Sequence, residues 1–303
     1  MSESPARQLA SLAIFSWLAS VPTGARCMIL SALGFATMTA CVKLVGLRGI
    51  PILEIVAARA LVSLIISYAD VRRKKISPWG HHKKLLATRG LVGSLALVCV
   101  YYAVTTLPLA EATILQYLHP IFTALLALLF LNEKVRRSTL LCIVLSLAGL
   151  LIMVRPSFLF GASMSLPALS VAAALAGAFG SALAYVIVRQ LSQTEDSSVI
   201  IFYFPLITLP VAVMMLGDGF VMPDGPALAL LLLVGLSTQF GQVFLTKALR
   251  AEEAGRATAY SYVQVLFSMI FGWLLFSELP TWWTLAGGAL IVAGALANVL
   301  GKR

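Results

Sequence analysis

The sequence predicts an all-α integral membrane protein whose ten transmembrane helices form an inverted 5+5 repeat. Three observations support this fold class: the composition, the length of the apolar segments and a match of the chain with itself. Of the 303 residues, 60% are hydrophobic and only 11% are charged, whereas a soluble domain is about half apolar and a quarter charged. The mean hydropathy is +0.96. The composition therefore excludes an ordinary soluble domain.

The apolar residues fall into blocks of about 20, the length that crosses a hydrocarbon core of ~30 Å as a helix. A transmembrane β-barrel would instead show alternating segments of about ten residues. Pro, Gly and charged residues separate the blocks and define ten predicted spans. These spans are roughly 26–46, 51–70, 85–107, 110–131, 138–154, 167–189, 198–217, 227–248, 256–276 and 282–301.

Residues 1–25 precede the first span and are predicted to be a cytoplasmic or interfacial lead-in. Within them begins an apolar stretch, 9–22, of about 13 residues before its closing proline, which is too short to span a membrane. It is interpreted as an uncleaved segment lying on the membrane surface. The chain then divides into a first repeat, residues 26–155, and a second repeat, residues 166–301.

The net charge of +10 comes from basic residues whose distribution along the chain indicates how the protein is oriented in the membrane. With both termini in the cytoplasm, 18 of the 22 Lys and Arg residues lie on the inner side, three lie outside and Arg59 lies within a span. This distribution follows the positive-inside rule and predicts that both termini are cytoplasmic. The predicted location is the plasma membrane, of the bacterial inner-membrane type. The basic stretch 72–84 is expected to contact anionic lipid. A nucleic-acid partner is not predicted.

The four cysteines, Cys27, Cys41, Cys99 and Cys142, lie in or beside apolar spans and form neither a CxxC motif nor a metal-like spacing. They are interpreted as small packing residues. No metal site and no cofactor is predicted. The catalytic motifs HExxH and GxSxG and a glycine-rich phosphate loop do not occur in the sequence, which argues against an enzyme.

The sequence matches itself at an offset of 145 residues. Tyr117 falls on Tyr262, Glu133 falls on Glu278, and no gap is needed between these points. Each half contains five predicted spans, an odd number, so the second half enters the membrane from the opposite side. Inverted repeats of this kind are typical of transporters, with the binding site near the midplane between the halves.

Several segments carry a family resemblance. They are TLPLAEATILQYLHPIFTALLALLFLNEKV (106–135), GLLIMVRPSF (149–158) and AGRATAYSYVQVLFSMIFGWLLFSELP (254–280). With them the chain resembles the drug/metabolite transporter superfamily, specifically the EamA-type ten-helix permeases. RPSFLFG (155–161) is similar to the solute carrier family 35 subgroup G branch. The resemblance implies a metabolite permease and does not identify the cargo.

The fourth predicted span carries polar side chains that lipid rejects. Thr113, Gln116, His119 and Thr123 lie on one helical face, and Pro120 frees a backbone carbonyl beside them. Two interpretations stand: hydrogen bonds between packed helices, or the wall of a wet cavity shared by both repeats. The matched stripe in the second half favours the cavity. Its members are Thr258, Ser261, Gln264 and Ser268.

Arg59 is predicted to lie near the midplane, about 13 Å from the outer end of its span at 1.5 Å per residue. It is interpreted either as an anchor for a carboxylate or phosphate or as the structural partner of Glu54. Lys43 is expected to reach the membrane interface, and Glu111 to cap a helix. Tyrosine and glutamine side chains add an amphipathic lining, with packing as the alternative. The predicted substrate-binding residues are Arg59, Tyr101, Tyr102, Gln116, His119, Gln239, Gln242, Ser261 and Gln264.

The fifth and tenth spans are rich in small residues and poor in polar ones. Gly287, Gly288 and Gly294 permit close contact between helices. These spans are interpreted as a peripheral scaffold or as a surface through which two copies form a homodimer.

The predicted function is transport of a small organic metabolite, such as an amino acid or another carboxylated solute, by alternating access. The alternatives are a channel or lipid scramblase and, less favoured by the sequence, a membrane-embedded enzyme. A channel would require a continuous hydrophilic path, whereas the polar stripes concentrate in the middle and outer half of the spans.

Overall fold

The computed structural model describes residues 21–107, 109–155 and 167–301, without the side chains of residues 109–111. In these ranges every regular element is a helix, and ten helices are long and apolar enough to cross a membrane. The predicted all-α membrane fold is therefore confirmed. Most of the lead-in at 9–22, the Glu111 side chain and most of the RPSFLFG segment lie outside the described residues.

Eight of the ten helices are continuous and two are interrupted, so the fourth and ninth are labelled in two parts. The bounds are α1 Thr23–Gly46, α2 Ile52–Arg73, α3 Lys83–Thr106, α4a Leu109–Gln116, α4b His119–Phe130, α5 Arg137–Val154, α6 Ala168–Leu191, α7 Ser197–Leu216, α8 Gly225–Ala251, α9a Ala254–Ala259, α9b Val263–Phe276 and α10 Trp282–Leu300.

Short polar residues begin several helices. The Asp196 carboxylate accepts the N–H of Ser198 at the start of α7, and the Asp224 carboxylate accepts the N–H of Ala227 at the start of α8. Thr281 forms a capping box with Thr284 at the start of α10. Each cap satisfies an N–H group that has no partner within its helix. The local sequence thereby fixes where these helices begin.

Successive helices run in opposite directions, so the bundle has two ends. We call the end where α1, α3, α5, α7 and α9 begin the first face, and the opposite end the second face. The packing repeats between the two halves. Helix α1 packs on α8 as α6 packs on α3, and α9 packs on α1 as α4 packs on α6. Helix α2 packs on its own counterpart α7, and α5 on its counterpart α10. This pattern is the one that an inverted duplication requires.

Glycines bring α5 and α10 close together. A Cβ atom built on Gly287 would lie 2.3 Å from the carbonyl oxygen of Gly149, and one built on Gly294 would lie 3.0 Å from the carbonyl oxygen of Cys142. Gly288 instead faces Leu266 of α9b. The small residues predicted as scaffold or dimer surface are therefore in contact within one chain. Helix α5 makes most of its contacts with α10.

Equivalent carboxylates tie the ends of α4 and α9 to the opposite half. At the first face, Glu133 accepts Arg189 Nε of α6 at 2.7 Å and the N–H of Ala254 at 2.6 Å. At the second face, its counterpart Glu278 pairs with Lys43 of α1. Lys43, expected to reach the membrane interface, is thus held by an ion pair. Each contact crosses between the repeats, and each lies at a different end of the bundle.

Candidate functional site

The two interrupted helices break at equivalent positions. The fourth is interrupted after Gln116, at Tyr117, and the ninth tightens into the 3-10 turn Tyr260–Tyr262. The offset of 145 that relates the repeats carries Tyr117 onto Tyr262. In α4b the break has a chemical cause, because Pro120 lacks an N–H and is well suited to begin a new helix. Val265 occupies the place of Pro120 in the second repeat, so that turn forms without a proline.

The backbone carbonyls at the first break receive side-chain donors. In an unbroken helix the carbonyl of Gln116 would accept from residue 120, which is proline. His119 Nδ1 lies 3.0 Å from that carbonyl, and a carbonyl can only accept, so Nδ1 carries the proton. The hydroxyl of Tyr262 donates to the carbonyl of Tyr117 at 2.8 Å. The break predicted from Pro120 thus brings α4 and α9 together.

His119 is 7% exposed and lies among polar and aromatic groups. Its Nε2 lies 3.4 Å from the hydroxyl of Ser261 on the 3-10 turn. Its ring meets the ring of Tyr185 edge-on, with centroids 5.5 Å apart. The α9 residue that reaches His119 is therefore Ser261, whereas Gln264 is half-buried one turn further along the chain.

The remaining stripe residues differ in their partners. The Gln116 amide nitrogen donates to Ser181 at 3.4 Å, and its Oε1 is buried without a hydrogen-bond partner in the described part of the chain. The hydroxyls of Thr123 and Thr258 donate to carbonyls one turn earlier in their own helices, at 2.7 and 2.8 Å. Such bonds satisfy a hydroxyl inside a helix without a ligand. Gln116, His119 and Ser261 therefore form one cluster, which we call the histidine cluster.

Arg59 is 8% exposed on α2. Its Nη1 lies 3.6 Å from the sulfur of Met38, and none of the described carboxylates pairs with it. Glu54, the structural partner considered above, instead accepts the N–H of Val221 at 2.9 Å. Arg59 borders a narrow gap between α2, α7 and α8. The other residues lining this gap are Ala60, Ser63, Ile201, Phe204, Pro205, Thr238 and Gln242.

A second buried arginine, Arg89 of α3, is not among the substrate-binding residues predicted from the sequence. It is 3% exposed. Its Nη2 donates to Oε1 of Gln242 at 3.4 Å, and its guanidinium lies 4.5 Å above the ring of Phe204. Its Nε and Nη1 have no hydrogen-bond partner among the described residues. Because α3 begins at Lys83, Arg89 lies about 9 Å inside the helix at 1.5 Å per residue. That depth is the signal that could have identified it.

Tyr185 connects the two groups of residues. It contacts the ring of His119 and also lies close enough to Arg89 to interact with it electrostatically. We call Arg59, Arg89 and Gln242 the arginine cluster. The histidine cluster lies between α4, α6 and α9, and the arginine cluster lies between α2, α3, α7 and α8. With the side chains that contact them, the two clusters involve α1, α2, α3, α4, α6, α7, α8 and α9.

A cavity of about 790 Å³ opens at the first face, where α2 and α8 end and α7 begins. We call it the vestibule. Gln239 lines it and donates to Ser67 at 2.9 Å, with its Oε1 buried and lacking a partner in the described ranges. Ile201 lines both the vestibule and the gap beside Arg59, so the two spaces adjoin. The vestibule's charged residues are four bases and two acids: Arg73, Lys74, Lys247, Arg250, Asp70 and Asp196.

The two predicted tyrosines of α3 belong to neither cluster. Tyr101 is half-buried, and Tyr102 is 41% exposed. The carbonyl of Tyr102 accepts the hydroxyl of Thr106 at 2.7 Å, within the same helix. Of the nine predicted site residues, the structure therefore places three in the histidine cluster and two in the arginine cluster. Gln239 lies at the vestibule, and Gln264 and the tyrosines stand separately.

Comparisons with known proteins agree with this architecture. The model of the EamA-like transporter family matches residues 22–155 and 168–300. The pseudopaline exporter CntI of Pseudomonas aeruginosa is 33% identical over 276 residues, covering 91% of this chain and 95% of its own. Solute carrier family 35 member G1 of Mus musculus is 33% identical over 288 residues, covering 91% of this chain and 77% of its own. These matches confirm the resemblance carried by residues 106–135 and 254–280.

The fold is shared with solved structures, among them a crystal structure. That crystal structure superposes with a TM-score of 0.75 and covers 89% of this chain and 96% of its own, at 18% sequence identity. At that level of identity the likeness supports the arrangement of the helices.

Proposed function

Because the chain belongs to the EamA-like transporter family and is a multi-pass membrane transporter, we propose that it exports a small carboxylated organic solute, such as an amino acid, by alternating access. The similarity to an exporter, CntI, supports the outward direction. We further propose a bacterial inner membrane with both termini in the cytoplasm. The first face is then cytoplasmic, in agreement with the positive-inside distribution of 18 of the 22 basic residues.

The observation that carries the proposal is Arg59. A charge inside a membrane bundle is costly and is normally paired or exposed to a water-filled cavity. Arg59 is buried, has no carboxylate partner in the described part of the chain, and borders a gap that adjoins the vestibule. A carboxylated solute entering from the first face would supply the missing negative charge, and the planar guanidinium suits a carboxylate.

The two faces support an alternating mechanism. The vestibule opens at the first face, while Lys43 and Glu278 pair at the second face. The equivalent pair at the first face, Glu133 with Arg189, has more buried side chains, at 13% and 20% exposure. Since the repeats are related by symmetry, exchanging their conformations would open the second face and close the first. The broken helices α4 and α9 provide the place where the two halves meet.

Efflux from proteoliposomes tests this function. Vesicles containing the purified chain are loaded with isotope-labelled amino acids and carboxylic acids, and initial efflux is measured against concentration. We expect saturable efflux of at least one carboxylated solute, accelerated by the same solute outside. Arg59→Lys keeps the charge and loses the planar geometry, so it should reduce this flux. Arg137→Lys, at an exposed position, is the matched control.

The outcome also separates the alternative functions. Flux that rises linearly with concentration and shows no acceleration by external solute would contradict alternating access and indicate a channel. Lipid exchange between leaflets without solute flux would indicate a scramblase. Equal flux of every carboxylated solute in wild type and Arg59→Lys, at matched amounts of protein, would remove Arg59 from recognition.

A further inference from the structure

The arginines that are buried or half-buried in the bundle have two kinds of surroundings. Arg256 donates to the carbonyl of Asn298 at 2.9 Å and lies 3.6 Å from the Glu252 carboxylate. Arg189 binds Glu133 at 2.7 Å and the carbonyl of Leu249 at 2.8 Å. These two arginines are held by acceptors of the protein itself, as structural charges normally are.

Arg59 and Arg89 have no carboxylate or backbone-carbonyl acceptor among the described residues. Neither forms an ion pair there, and two donor atoms of Arg89 are buried without a hydrogen bond. A buried cation that lacks a carboxylate destabilises a fold unless something else pairs with it. Arg59 lines the gap, and Arg89 contacts two of the side chains that line it, so the two cations together indicate a site that a ligand completes.

Gln242 and Phe204 bring the two arginines to one place. Both residues line the gap beside Arg59, and both contact Arg89, at 3.4 Å from the amide oxygen and 4.5 Å from the ring. The face of the Phe204 ring holds the Arg89 guanidinium, and a guanidinium so held can still donate in its own plane. Arg89 of α3 thus contacts two of the side chains that line the gap beside Arg59 of α2.

The remaining groups at the gap are suited to an acceptor. The amide oxygen of Gln242 is used by Arg89, so the amide nitrogen is its group left to bind a ligand, and that nitrogen only donates. The hydroxyl of Ser63 is buried without a partner in the described ranges and can donate as well. The site therefore presents two cations and further donors. A solute with one carboxylate would leave the second cation unpaired.

We propose that Arg59 and Arg89, together with Gln242, form a two-cation site for a solute that carries two carboxylates. This inference rests on the proposed function and narrows its substrate class to dicarboxylates. The excess of basic over acidic side chains at the vestibule raises the local concentration of such anions before they reach the site.

Equilibrium binding to the purified full chain in lipid nanodiscs tests the proposal without requiring flux. The probes are succinate, glutarate, adipate and suberate, which differ in the separation of their carboxylates, together with their monomethyl esters. Ionic strength is held constant, and binding is measured by calorimetric titration. We expect at least one diacid to bind about tenfold or more tightly than its half-ester, because charge-assisted contacts are the stronger ones.

Variants identify the second cation. Arg89→Met should abolish the preference for the diacid, so that the diacid and its half-ester bind with affinities within about twofold of each other. Arg59→Met should abolish the same preference through the other arginine. Arg137→Met removes an exposed charge and should preserve it. Because Arg89 lacks a carboxylate partner, Arg89→Met should unfold at the same or a higher temperature than wild type without ligand, whereas Arg256→Met should unfold at a lower one.

Equal affinity of diacid and half-ester in wild type, or no binding of any diacid, would overturn the two-cation site. The same conclusion follows if both Arg89→Met and Arg59→Met retain the preference. An Arg89→Met chain that unfolds as early as Arg256→Met and still prefers the diacid assigns Arg89 to structure. If diacid preference is found and no solute is exported from proteoliposomes, the two-cation site stands and the export function fails.

Discussion

The hydroxyl of Tyr262 donates to the backbone carbonyl of Tyr117 at 2.8 Å, and these two tyrosines hold the same position in the two repeats. Their rings stack, with centroids 5.7 Å apart and an interplanar angle of 24°. Two equivalent groups can touch only near the axis that relates the halves. The breaks in α4 and α9 therefore meet at the pseudo-twofold axis, although the hydrogen bond itself is asymmetric, with a side chain on one side and the backbone on the other.

The first prediction concerns this contact. Tyr262→Phe keeps the stacked ring and leaves the Tyr117 carbonyl without the hydroxyl donor. An unsatisfied buried acceptor costs about 1–3 kcal/mol, so we expect the free energy of unfolding to fall by that amount in denaturant titrations of the purified protein. Tyr68→Phe, which removes a hydroxyl from a ring that is 46% exposed, should change it little. Equal stability of both variants and wild type would show that the hydrogen bond does not hold the break.

The second prediction separates the two nitrogens of His119. Asn places an amide nitrogen near the position of Nδ1, which serves the Gln116 carbonyl, whereas Gln places its amide near Nε2, which faces Ser261. We expect His119→Asn to retain wild-type stability and lose most flux, and His119→Gln to retain most flux at reduced stability. Unfolding temperature and proteoliposome efflux are measured on the same preparations. His119→Leu should lose both stability and flux. If His119→Leu shows normal flux, the role of His119 is limited to helix packing.

The sequence predicts the histidine cluster better than the arginine cluster, for a physical reason. Pro120 and the polar stripe are local features of one helix. The offset of 145 between the repeats identifies Ser261 as the counterpart of Gln116. Local spacing is enough to place such residues. Arg89 carries a weaker local signal, its depth of about 9 Å inside α3 at 1.5 Å per residue, because other basic residues precede it near the end of the span. That Arg89 is buried against Phe204 and Gln242, and not against a carboxylate, becomes visible only when α7 and α8 pack on α3.

The partner of Glu54 likewise could not be predicted from the sequence. From sequence, a pairing between Glu54 and Arg59 is an open alternative, since they lie five positions apart on one helix. The structure gives Glu54 a partner 167 residues away, the N–H of Val221 in the connection before α8. Spacing along a helix restricts which faces can meet, but it does not identify partners contributed by distant segments. The helices themselves were predictable because their length and apolar composition are properties of each segment alone.

The third prediction tests the contact between α5 and α10. Gly287→Ala would place a Cβ 2.3 Å from the carbonyl oxygen of Gly149, and this backbone cannot move aside as a side chain can. We expect a loss of about 1–3 kcal/mol or more in the free energy of unfolding. Gly288→Ala is the neighbouring control, because its Cβ would lie 3.2 Å from a terminal methyl of Leu266. Equal effects of the two substitutions would contradict the close packing at Gly287.

The last prediction concerns Glu195, in the connection between α6 and α7. One of its carboxylate oxygens accepts the N–H groups of His82 and His81 at 2.6 and 2.7 Å, at the start of α3. Burial alone would raise the pKa of Glu195, but the N–H groups of His82 and His81, together with the His81 ring, hold that pKa below its ordinary value of 4.5. The depressed pKa means that the ionised form stabilises the folded state.

The sign of the pH dependence follows from that shift. The stabilisation is fully present above the pKa of the unfolded chain, about 4.5, and is lost as the pH falls through the lower pKa of the folded state. Glu195→Gln should therefore unfold at a lower temperature than wild type at pH 7, and the difference should shrink as the pH is lowered past 4.5. Asp218→Asn, at an exposed position, should show no such convergence. If the difference in unfolding temperature between Glu195→Gln and wild type stays constant down to pH 3.5, the carboxylate charge does not stabilise the contact between the α6–α7 and α2–α3 connections.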